Sequence, residues 1–268
     1  MQKETKAGCT DIGGVIFSHP IGLGSGLVRD CEKIEKYSAK GFSFVMTGPV
    51  TPVAQIKDDG KKSLINRIFS SGKHAPTDSK GVRYSIDKLK VSNHKSRTIS
   101  IISYMDSSIY DDLVSKDLCT SLSLMYDFTD AFAIDITQTR GDGTAPLLDA
   151  EFLENIFDEL LNIRLCYDSY KPIFIKLGKN CLESQLNRVL DYAMYSGIDG
   201  IIPDCSGADF TRLEQICEFS KGRFPVIADG IANESEALLA LQKGANLVSL
   251  SPTSFKAAKK IIKAITLK

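Results

Sequence analysis

Lys176 interrupts an otherwise apolar run, Ile173-Phe174-Ile175-Lys176-Leu177-Gly178. An ammonium among aliphatic neighbours must find a partner or give up its proton, because an unpaired buried charge is costly. Three uses are open: pairing with an anionic ring, condensing with a carbonyl as a Schiff-base amine, or pairing with Asp135. Asp135 and Thr137 end another apolar run, and alternation puts both on one side of that strand. A third run ends in Asp204-Cys205-Ser206-Gly207. Cys205 there is a nucleophile candidate or simply a packed thiol. Gly22-Leu23-Gly24-Ser25-Gly26 lets a flat ring approach the backbone, and it equally suits any tight turn. Arg29 follows it, either aimed at a ligand or lying on the surface. Thr47 to Pro52 offers hydroxyls and a stiff turn, or an ordinary strand exit. Gly230 and Ile231 offer backbone N–H groups, and Ser251 and Thr253 precede a helical stretch whose N-terminus attracts anions.

These residues share a position: each follows a short apolar run. Eight strand candidates are read at Ile21–Gly24, Phe42–Thr47, Ile99–Ser103, Ala131–Ile136, Ile173–Leu177, Gly200–Asp204, Pro225–Ala228 and Leu247–Leu250. Brief, mostly apolar runs suit parallel strands covered on both faces. Helical stripes lie between them, such as Phe152, Ile156, Leu160 and Ile163, or Leu182, Leu186, Val189, Leu190 and Ala193. Asn233 with Glu236 resembles a capping box, and Gly41, Gly197 and Gly244 suit helix exits. Eight β–α units predict a (β/α)8 TIM barrel of the α/β class, one domain over residues 1–268. A doubly wound sheet is the alternative, but no early G-x-G-x-x-G supports it. In a barrel the active site lies at the C-terminal strand ends, and the loops after the last two strands hold phosphate.

The stretch 52–97 is far longer than an ordinary connection. From Gln55 to Arg97 it holds eleven Lys/Arg against four Asp/Glu. It reads as a basic lid over the mouth that draws in an anionic substrate, or as a solvated loop.

Composition narrows the function classes. The chain has 268 residues, 43% hydrophobic and 25% charged, with 33 Lys+Arg against 33 Asp+Glu. That balance gives no general pull toward nucleic acid or membrane. No apolar stretch is long enough to span a bilayer, and the first residues lack a signal-peptide core. Seven scattered cysteines and three histidines fit reduced thiols in a cytoplasmic protein and give no zinc spacing.

Taken in order, the strand ends resemble the dihydroorotate dehydrogenase family, FMN enzymes on a (β/α)8 barrel. The likeness covers nearly the whole chain. It is carried by His19-Pro20-Ile21-Gly22-Leu23-Gly24-Ser25-Gly26 (family Asn-Pro-x-x-x-Ala-[Ala/Ser]-Gly), by Lys40-Gly41-Phe42-Ser43-Phe44-Val45 through Val50-Thr51-Pro52, and by Leu64-Ile65-Asn66-Arg67. It returns at Ile173–Leu177, Gly197–Ile202 and Gly244–Val248. The resemblance implies FMN across the barrel mouth. Gly24, Ser25, Thr47 and Asp135 would lie by the ring, Lys176 at its N1 side, and Gly230, Ile231, Ser251 and Thr253 around the phosphate. It implies oxidation of a dihydropyrimidine C–C bond in pyrimidine biosynthesis, or the same chemistry on a changed substrate. Homodimers are common in the family.

Several motif positions depart from the family. Its base, serine or cysteine, falls on Gln138, which cannot take a proton. Two asparagines become Asp135 and Arg140, another becomes Cys205, and the substrate-binding run reads Ile68-Phe69-Ser70-Ser71. The phosphate-site Gly-Gly reads Asp229-Gly230, which brings a carboxylate beside an expected phosphate. Arg29, Thr137 and Cys205 join Lys176 as candidate catalytic groups. The rival readings are a flavin-free barrel for a phosphorylated ligand, with Lys176 as a Schiff-base amine, and a non-catalytic homologue that binds a partner through 52–97.

Overall fold

The structure is a computed structural model that describes residues 9–24, 26–55, 78–105, 107–108, 110–137, 150–179, 181–251 and 255–266. It opens with a hairpin, β1 (Thr10–Ile12) and β2 (Val15–Phe17), turned by Gly13-Gly14. Both turn glycines have positive φ, 58° and 84°, as a two-residue hairpin turn requires. Eight parallel strands follow: β3 (Ile21–Leu23), β4 (Phe44–Val50), β5 (Arg97–Ile102), β6 (Ala131–Asp135), β7 (Ile173–Leu177), β8 (Gly200–Pro203), β9 (Ile227–Ile231) and β10 (Leu247–Leu250). They pair in the order β8-β7-β6-β5-β4-β3-β10-β9. Bridges Ile201 to Val226 and Asp204 to Asp229 join β8 to β9 and complete the ring.

The helices α1 (Ile34–Ser38), α2 (Val82–Val91), α3 (Asp111–Met125), α4 (Ala150–Leu165), α5 (Glu183–Ser196), α6 (Thr211–Ser220), α7 (Glu234–Gln242) and α8 (Phe255–Thr266) alternate with the strands. All eight expected strands form, with ends shifted by up to three residues. Half of the expected box forms at α7: the Asn233 side chain accepts the Glu236 N–H, while Glu236 reaches back to the N–H of Ala232 rather than that of Asn233. Gly41, Gly197 and Gly244 end helices with φ of 92°, 97° and 104°.

Two apolar layers divide the strand residues by parity. Val45, Ile134, Ile175, Ile201 and Leu250 face the helices. Phe44, Met46, Ile101, Ala133, Phe174 and Ile202 fill the barrel interior. The hairpin closes the N-terminal end of the barrel. Ile12 and Phe17 join the interior cluster, and the Phe17 and Phe44 rings meet edge to face at 5.5 Å.

The stretch 52–97 is not all loop. Its last part is α2, which buries Val82, Ile86 and Leu89 against the barrel, while Lys88 and Lys90 sit over the Tyr84 and Phe128 rings. Part of the basic charge therefore belongs to a flanking helix, where cations in the last turn also suit the helix dipole. Gln55 and Ser79 pair through two backbone hydrogen bonds, 2.8 and 2.9 Å, which tie together the two ends of the intervening segment. No helix among the described residues is long and apolar enough to cross a membrane.

The hairpin plug yields a stability prediction. Phe17→Ala removes a fully buried ring from the barrel floor. It should cost about 3–5 kcal/mol, read as a lower urea midpoint with an unchanged slope.

Candidate functional site

Parity decides which side chains reach the mouth. Asp135, Lys176, Asp204 and Asp229 each stand two residues beyond an interior residue, namely Ala133, Phe174, Ile202 and Ile227. Side chains two apart share a face, so all four point into the barrel at its C-terminal end. Asp135 is the register partner of Lys176 across β6 and β7, and Asp204 is bridged to Asp229 across β8 and β9. The top tier of the barrel is thus ionic, above an apolar interior.

Lys176 is the cation of this tier. Its Nζ lies 3.2 Å from Asp229 Oδ2, with side chains only 13% and 6% exposed. Burial alone would drive the ammonium to release its proton. Asp229 first, then Asp135 and Asp204, more than offset this, and the Lys176 pKa is raised above its ordinary 10.5. Asp229 is held from its other oxygen, Oδ1, by the Ser249 hydroxyl. Gly24 gives this pair its room. A Cβ at residue 24 would lie 2.7 Å from Ser249 Oγ, 2.9 Å from the Leu250 carbonyl oxygen and 3.0 Å from Asp229 Oδ1. The glycine at 24 therefore answers to close packing within the barrel.

Thr137 caps Asp135. Its backbone N–H, at 3.0 Å, and its hydroxyl, at 2.5 Å, both donate to Asp135 Oδ1. Cys205 is fully buried, and burial, with Asp229, Asp204 and Asp209 adding, pushes its thiol up to about 12. A thiol so held is neither a nucleophile nor a base at neutral pH.

Other expected residues lie elsewhere. Thr47 faces the helices: it is fully buried, bonds Ser100 at 3.3 Å and contacts the Cys31 thiol. It stands one residue past Met46, an interior residue, so alternation turns it away from the mouth. Arg29 lies in a short turn and pairs with Asp78 at 3.4 Å, at the far end of the long connection. Gly230 has φ 84° and packs its backbone on Ser206. The Ile231 side chain belongs to the outer core, while its carbonyl accepts the Ser251 N–H at 2.8 Å. Ser25, Gln138, Arg140 and Thr253 lie outside the described residues, as do Leu64–Arg67 and Ile68–Ser71. Among the described residues no cluster of His, Cys, Asp and Glu could hold a metal.

Sequence reasoning named Asp229 as an obstacle to phosphate and left Ser249 and Asp204 without a role. The signal was their strand parity, which puts all three on the inner face.

No protein-family model matches the chain. Curated relatives do. A dihydroorotate dehydrogenase (quinone) of Pseudoalteromonas atlantica is 24% identical over 290 residues, covering 94% of this chain and 84% of that protein. One from Christiangramia forsetii is 23% identical over 273 residues, covering 90% and 78%. Among solved structures, DHODH of Eimeria tenella in complex with ferulenol superposes with a TM-score of 0.80 at 16% identity, over 96% of this chain and 81% of that one. The ligand-free form gives the same score and covers 85% of that chain. At that identity the superposition speaks for the barrel fold.

The ion pair sets two expectations. Lys176→Met leaves three carboxylates facing one another without a cation and should cost about 3–5 kcal/mol at pH 7. In the native protein the raised Lys176 pKa gives stability that is complete below about pH 10 and lost as pH rises through the folded value. A flat urea midpoint between pH 6 and 9 is the check. For the thiols, iodoacetamide at pH 8 should label exposed Cys166 and spare Cys205 until the protein unfolds.

Proposed function

We propose that this homologue of the dihydroorotate dehydrogenases is an FMN-dependent oxidoreductase of their kind, acting on the C–C bond of a dihydropyrimidine such as dihydroorotate or of a related small ring substrate. One observation carries the reading: a buried ammonium, Lys176, kept charged at the barrel mouth, at the position that matches the family's flavin-facing lysine. Relatives spanning 94% of this chain and named for that activity support it.

The residues present fit FMN. Lys176 has three N–H donors and, among the described residues, one ion-pair partner at contact distance, Asp229, so donors remain for a ring. The carboxylate expected to repel a phosphate is turned inward, onto Lys176 and Ser249. Gly230, in the left-handed region, stands near the end of β9, at the usual barrel phosphate position. Bound FMN would supply the hydride acceptor for oxidation of a carbon–hydrogen bond.

The chain's own groups would hold the ring and handle the proton. The thiol of Cys205 is too weak an acid to serve at neutral pH. Thr137 suits the role better: its hydroxyl already donates to Asp135, so a proton taken up at Thr137 Oγ1 releases its own hydrogen to the carboxylate. The basic segment between Gln55 and Asp78 begins just past β4, at the mouth end, where it would draw in an anionic ligand. The Schiff-base alternative requires a neutral amine, and the three carboxylates around Lys176 oppose it.

The protein purified, incubated with FMN and desalted should keep visible flavin absorption bands. Lys176→Met should weaken FMN retention at least tenfold, by flavin fluorescence. A colourless protein that holds no FMN would sink the flavoenzyme reading. Borohydride with candidate aldehydes should leave Lys176 unmodified, and a trapped adduct would favour the lyase.

A further inference from the structure

Two motif differences in this chain meet in space. Where the resembled motif has alanine the chain has Gly24, and where it has glycine the chain has Asp229. The structure joins them. The missing Cβ at Gly24 is the space that the Asp229 carboxylate and the Ser249 hydroxyl occupy, with 3.0 Å and 2.7 Å left to an ideal Cβ. Asp229 reaches that space from β9, Ser249 from β10 and Gly24 from just past β3, three adjacent strands of the ring. The carboxylate so lodged meets Lys176 from β7 at 3.2 Å.

We propose that Asp229 is a positioning residue for Lys176: wedged between Gly24 and Ser249, it fixes where the ammonium sits and cancels most of its charge, so a bound flavin ring meets a nearly neutral pair. The proposal rests on the FMN reading for its consequence and on the geometry of the pair for its premise. A bare cation beside a flavin would favour the reduced, anionic ring over the oxidised one. A matched pair gives much less of that preference, because the two opposite charges lie only 3.2 Å apart. Asp135 and Asp204, also facing Lys176, act in the same direction and remain after Asp229 is removed.

The test has one arm without cofactor and one with it. In the full chain with carbon-13-labelled lysine, the Lys176 resonance is assigned by its loss in Lys176→Arg, and its titration is followed by NMR. Asp229→Asn should lower the Lys176 pKa by at least one unit, since burial then acts against fewer carboxylates. In FMN-loaded protein, the same substitution should raise the ratio of reduced to oxidised FMN affinity at least tenfold, read by potentiometric titration. If Asp229→Asn does not fold, Asp229→Ser, smaller and still able to hydrogen-bond Ser249, serves in its place. An unchanged Lys176 titration in a natively folded variant overturns the positioning role. A lowered pKa with an unchanged affinity ratio overturns the charge-setting role. Failure to hold any FMN tells against the flavoenzyme reading, and the titration still decides the role of Asp229.

Discussion

A charge placed in a buried strand must be matched, and the contact between Lys176 and Asp229 meets that demand at the mouth of this barrel. Without it, β7 would carry an ammonium into a space that otherwise disfavours ions. The match draws in residues from several strands. Asp229 needs Ser249 to hold its second oxygen, and both need residue 24 to lack a side chain. Asp135, beside Lys176 in the ladder, is tied in turn by Thr137. The ionic tier is therefore a coupled unit, and it can form only if β3, β9 and β10 keep their register.

That register depends on the apolar tiers beneath. Phe44, Phe174 and their neighbours fill the interior, and the hairpin closes the floor with Phe17. A floor packed with side chains leaves the C-terminal end as the place where polar groups can stand without being sealed in. The division of labour follows from burial: stability is concentrated below, and chemistry-bearing groups stand above.

The architecture was legible because parallel strands covered on both faces leave short apolar runs that no other fold explains as economically. All eight were found from such runs, and the Asn233 cap and the exit glycines from local rules. The hairpin was missed, although Gly13-Gly14 between two short alternating runs is its usual signature; three-residue strands carry too little periodicity to stand out. The site was legible in part. Lys176, Asp135 and Thr137 were found because polar groups at strand ends are conspicuous. Thr47 was misplaced because nearness to the strand end was weighed without its parity. Gly24 was read as room for a ring or a tight turn; that its missing Cβ also makes room for Asp229 and Ser249 has no local signal. The inward direction of Asp229 follows from its parity, but its seat beside Ser249 could not be read, since it depends on a side chain absent from another strand.

The backbone tie between Gln55 and Ser79 bears on how this barrel can change over evolutionary time. A segment whose two ends are fastened to each other joins the scaffold at one place. Closing such a segment costs only about 0.6 kcal/mol more for each doubling of its length. Insertions, deletions and wholesale rewriting between the two fastened residues would therefore barely tax the barrel. A lineage can rewrite the chain between Gln55 and Ser79 while inheriting the strands, the floor and the ionic tier intact.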